Sequence, residues 1–63
     1  MIYLICTSRV NENNVREYLW HESFGGTLYA LKKRLRELQS INNKWEFKVY
    51  RFTQDGTKIL VKI

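Results

Sequence analysis

The sequence predicts an α+β fold of topology β-α-α-β-β, a three-stranded antiparallel sheet of order 1-3-2 with a short and a long helix on one face. Three observations carry it: a β-rich run at the start, four leucines at helical spacing in the middle, and two apolar runs around Asp55-Gly56 at the end. The 63 residues make one small domain, residues 1–63. A chain this short builds only a modest core, and a cofactor buried in its own cavity does not fit.

Ile2 to Thr7 reads as a strand, with apolar residues on both parities. Asn11-Glu12-Asn13-Asn14 then breaks it. Asn14 followed three residues later by Glu17 has the spacing of a helix N-cap and its return partner, and Val15, Tyr18 and Leu19 share a helical stripe. A short helix over about 15–22 is expected. Trp20 stands off its stripe, because each helical residue advances about 100°.

Gly25-Gly26 ends that helix, and Thr27 caps the next. Leu28, Leu31, Leu35 and Leu38 form an amphipathic stripe that stops at Asn42-Asn43.

Burial arbitrates the register of the terminal hairpin. A two-residue loop at Asp55-Gly56 divides the apolar residues between both faces. With a type I turn over Thr53 to Gly56 and Gly56 in the left-handed bulge position, Arg51 faces Ile59, Val49 faces Val61 and Phe47 faces Ile63. Trp45, Phe47, Val49, Ile59, Val61 and Ile63 then share one face beneath the leucines. The last strand, apolar on both parities, is expected at the sheet centre.

The other face of this hairpin shows Glu46, Lys48, Tyr50, Phe52, Lys58, Leu60 and Lys62, joined by either Ile2/Leu4/Cys6 or Tyr3/Ile5/Thr7 from the first strand. Lys48, Tyr50, Phe52, Lys58, Leu60 and Lys62 are the candidate partner-binding residues. Central aromatics framed by lysines suit a protein interface, including one with a second copy of the chain. The same combination suits nucleic acid, where rings stack on bases and ammonium groups neutralise phosphates. The plain alternative is ordinary sheet composition, with lysines keeping the exposed side soluble. Trp20, Phe24, Tyr29, Lys33 and Arg36 form a secondary contact set.

Charge narrows the field further. The net charge is +5, and it belongs to residues 27–63, where nine basic side chains face three acidic ones. In Lys32-Lys33-Arg34-Leu35-Arg36 the helical advance scatters the charges around a solvated arc, with Glu37 available to Lys33 or Arg34. Gly25-Gly26-Thr27 lacks the Lys-Ser/Thr ending of a phosphate loop and reads as a linker and cap.

Cys6 and His21 are each alone of their kind. With Glu17 or Glu22 they make no complete nucleophilic or acid-base set, and structural zinc wants four Cys or His ligands. No catalytic residues, no metal and no cofactor are expected. One cysteine forms no intrachain disulfide, no apolar run reaches the length of a membrane span, and the start lacks a secretory pattern. These point to the cytoplasm and away from a membrane. A non-enzymatic binding module for a protein partner is the expected function, with nucleic-acid binding by the same basic-aromatic face as the second reading.

Overall fold

The computed structural model describes residues 1–62. Its elements are β1 (Ile2–Val10), β2 (Arg16–Gly25), α1 (Leu28–Ile41), β3 (Glu46–Phe52) and β4 (Lys58–Val61). The four strands form one antiparallel sheet of order β2-β1-β3-β4, with α1 packed on one face.

This corrects the expected fold in two places. Residues 15–22 are not a short helix: Arg16 onward is an edge strand that pairs with β1 from Val10↔Arg16 to Ile2↔Gly25. Asn14 is not an N-cap, because it adopts φ +62°, the left-handed conformation that asparagine tolerates in turns. Asn11 N–H donates to the Val15 carbonyl at 2.9 Å, Asn14 N–H donates to the Asn11 carbonyl at 3.0 Å, and the Asn11 side-chain oxygen accepts from Asn13 and Val15 N–H. An eight-residue helix recovers little beyond its nucleation cost, whereas the strand pairs one side of its backbone with β1 from end to end. Trp20 also finds its place, since at a period of two it shares the helix-side face with Glu22 and Phe24, opposite Thr7, Ile5 and Tyr3.

The second correction is the sheet centre. β1 lies between β2 and β3, and the last strand is an edge. Once the chain returns at Asn11 to Val15, β2 takes one side of β1 and leaves the other for β3. β2 and β3 therefore run parallel to each other, and α1 crosses over β1 to join them. Four residues long, β4 gains pairing only along β3.

The other elements stand near where the sequence places them, except that β1 runs past Thr7 to Val10 and Ile59, expected beneath the leucines, is exposed where the helix does not reach. Thr27 Oγ1 accepts from Ala30 N–H at 3.2 Å and caps α1, which ends at Asn42. In the terminal hairpin Val49 pairs with Val61 and Arg51 with Ile59. Gly56 sits at φ +87°, and its N–H donates to the Thr53 carbonyl at 3.0 Å. The Phe47–Ile63 pair lies outside the described residues.

The core is Tyr3, Ile5 and Val49 from the sheet against Leu31, Leu35 and Leu38 of the helix, with Phe24, Phe47 and Val61 partly buried around it. Leu28, the first of the four leucines, is exposed at the start of α1. At one end of the layer the Trp20 and Trp45 rings meet edge to face, centroids 4.9 Å apart.

Candidate partner-binding face

Burial of Tyr3, Ile5 and Thr7 under α1 decides which parity of β1 faces away. Ile2, Leu4 and Cys6 therefore lie on the open face. Strand alternation and pairing extend that face across β3 and β4: Leu4 is opposite Tyr50, Tyr50 is opposite Leu60, and Phe52 is opposite Lys58. On the other flank Leu4 meets Ser23 and Cys6 meets His21. No helix covers this side.

The centre is apolar. Leu4 and Tyr50 are half-buried by their neighbours, while Ile2, Phe52 and Leu60 are exposed. The paired Leu4, Tyr50 and Leu60 form an apolar row across three strands, and Ile2 and Phe52 follow two residues along on the same face of β1 and β3. Lys48 and Lys58 stand at its border, and neither has a carboxylate partner among the described residues. The Lys58 ammonium lies over the Tyr50 ring, 4.4 Å from its centroid. That placement occupies one face of the ring.

At the end nearer the first hairpin turn the face becomes polar. Arg16 on β2 reaches across β1 to Glu46 on β3, and the same nitrogen donates to Ser8 Oγ at 3.0 Å. Glu46 is thereby neutralised, leaving the lysines to set the sign of the open face.

All six hairpin candidates are solvent-facing, Tyr50 least so: Lys48, Tyr50, Phe52, Lys58 and Leu60 lie on the open face, and Lys62 is exposed just beyond β4. The secondary set does not join them. Trp20 and Phe24 lie on the helix side, Trp20 against Trp45 and Phe24 against the core. Tyr29, Lys33 and Arg36 are exposed on α1, on the opposite side of the sheet. Arg34 pairs within the helix as expected, with Glu37 at 3.5 Å, and also binds Glu22 on β2 through two hydrogen bonds of 2.8 Å. These bonds hold the Glu22 carboxyl below its ordinary pKa.

Cys6 and His21 are brought directly opposite each other, with Lys48 on the other flank of Cys6. Among the described residues no hydrogen bond joins the thiol to the imidazole, and no group of three His, Cys, Asp or Glu is placed to hold a metal. Among the described residues no helix is long and apolar enough to cross a membrane.

Ile2 and Leu4 are the functional candidates that the hairpin pattern alone does not name. Their signal was the parity of β1, which became readable only with the burial of Tyr3 and Ile5. No family model matches this chain, and no curated protein or solved structure does.

Proposed function

We propose that the protein is a non-enzymatic binding module that engages a protein partner through the open face of its sheet. The observation that carries this reading is the Leu4/Tyr50/Leu60 row, with Ile2 and Phe52 on the same open face, on a domain of only 63 residues. Apolar area left in water by so small a domain forgoes stabilisation that it has little margin to lose, and such patches mark interaction sites. Tyr50 is the central anchor, Phe52 and Leu60 flank it, and Lys48 and Lys58 select a partner with carboxylates around an apolar centre.

The same lysines and rings are the basis of the nucleic-acid reading. Lys58 over Tyr50 weighs against it, because a base stacking on that ring face must first displace the ammonium.

Affinity capture from the native host with the intact chain tests the proposal, run beside a Tyr50→Ser/Phe52→Ser variant and a Lys48→Glu variant. The expected result is a captured protein that the aromatic double variant loses and the lysine variant retains in reduced amount. Capture of nucleic acid alone, or of proteins indifferent to the aromatic substitutions, overturns it. Light scattering at high concentration separates a second copy of the chain from a foreign partner.

A further inference from the structure

One helix cannot cover a four-stranded sheet. The outermost strands lie about 14 Å apart at ordinary strand spacing, and a helix with side chains is about 10 Å across. Arg34 ties α1 to Glu22 on β2, and the leucines of α1 bury the middle of the sheet. Burial on the helix side accordingly falls from β1 towards β4: Ile5 is 0% exposed, Val49 4% and Ile59 41%.

The uncovered strip is a groove of about 540 Å³ between α1 and the β3–β4 hairpin. Leu35, Phe47, Val49, Leu60 and Val61 supply its apolar lining. Lys32, Arg36 and Lys48 supply its charge, no carboxylate lines it, and none of the three cations has an ion-pair partner among the described residues. The α1 wall runs from Lys32 through Leu35 and Arg36 to Gln39, the i, i+3, i+4, i+7 face of two helical turns.

We propose that this groove docks an acidic amphipathic helix of a partner protein, seated beside α1 as the second helix of the layer. Its apolar stripe meets Leu35, Phe47, Val49 and Val61, and carboxylates on its flanks meet Lys32, Arg36 and Lys48. A helix fits better than an added strand. β4 offers only four residues of edge, whereas helices pack side by side at about 8–10 Å, which sets a second helix over the exposed strip. The groove opens on the helix side of the sheet and meets the Tyr50 face only at its rim, where Lys48 and Leu60 line it, so Leu4 and Tyr50 report on that face alone.

The test uses a fluorescein-labelled synthetic helix of about 14 residues, with leucines at i, i+3, i+4 and i+7 and glutamates on both flanks. Fluorescence anisotropy reads affinity and amide and methyl NMR shifts read position. The expected result is binding with shifts at Leu35, Phe47, Val49 and Val61. The exposed-residue variant Lys32→Glu/Arg36→Glu should weaken it by about tenfold or more, while Tyr50→Ser leaves it unchanged. A peptide with the glutamates kept and the leucines replaced by serine should also lose about tenfold. The proposal is overturned by no binding at about 1 mM peptide, by shifts confined to Leu4, Tyr50 and Phe52, or by undiminished binding to the charge-reversed variant. Perturbation of the groove by oleate or an oligonucleotide, but not by the peptide, overturns it equally.

Discussion

Arg34 on the helix grips Glu22 on the edge strand with two parallel hydrogen bonds, Nε to Oε2 and Nη2 to Oε1, both 2.8 Å. The fork joins α1 to β2, the strand farthest in the sheet from the groove. Because the Glu22 carboxyl is held below its ordinary pKa, first by the Arg34 hydrogen bonds, its contribution is present above the unfolded carboxylate range, about pH 4–5. It is lost as pH falls through the lowered folded value. Glu22→Gln should cost about 0.5–1 kcal/mol near neutrality, since the pair is partly solvated, and the cost should vanish in acid. Arg34→Lys should act in the same direction by removing the fork. Urea midpoints at pH 7 and pH 3 check this; an equal deficit at both refutes it.

Asn14 and Gly56 hold matching positions in two loops of the same design. Each closes a three-residue turn in the left-handed conformation, at φ +62° and +87°. A Cβ at Gly56 would meet no atom within 4 Å, so only backbone strain opposes it. Gly56→Ala should cost about 1–2 kcal/mol. Asn14→Ala should cost more than Asn14→Gly, because glycine keeps the conformation. Thermal denaturation of the three variants decides; equal stability of Asn14→Ala and Asn14→Gly would show that the turn makes no left-handed demand.

Thr7 is fully buried beneath the helix, and its hydroxyl has no hydrogen-bond partner. Valine has nearly the same shape without the unpaired oxygen. Thr7→Val should therefore stabilise by about 1 kcal/mol. For a domain of this size that raises Tm by about 4–8 °C. A lowered Tm would mean that the hydroxyl is satisfied in solution.

Asp55 accepts from Thr53 Oγ1 and, at 3.0 Å, from Thr57 N–H inside the terminal turn. These bonds, the Thr53 hydroxyl foremost, lower its pKa to about 2 from the ordinary 3.8. A carboxyl-detected NMR titration should find Asp55 ionising well below the ordinary aspartate value of 3.8. Thr53→Val should move it back towards the ordinary value, and an unchanged titration would show that the hydroxyl is not its partner.

The two loops also explain what was legible in the chain. Asp55-Gly56 announces its turn because glycine is the usual left-handed residue, and the hairpin register follows from it together with the burial of Val49 and Val61. Asn14 does the same work less visibly. Asparagine is at once a left-handed turn residue and a preferred N-cap, and Glu17 three residues later completed the second pattern. Glu17 in fact accepts from Asn11 and Arg9 across the first hairpin. The anomaly of Trp20 on a helical stripe was the sign that the period was two.

By itself the sequence determined the local structures whose causes are local: the β1 strand, the Thr27 cap, the leucine face of α1 up to Asn42, and the terminal hairpin with its Val49–Val61 register. It thereby placed Tyr50, Phe52, Leu60 and their lysines on one hairpin face. Only the tertiary structure decided that β1 is central, that Ile2 and Leu4 extend the Tyr50 patch, and that Arg34 pairs with Glu22 across the fold. Those outcomes depend on which strands compete for the two edges of β1 and where a single helix settles on four strands. That competition is between contacts distant in sequence, and no residue spacing records its result.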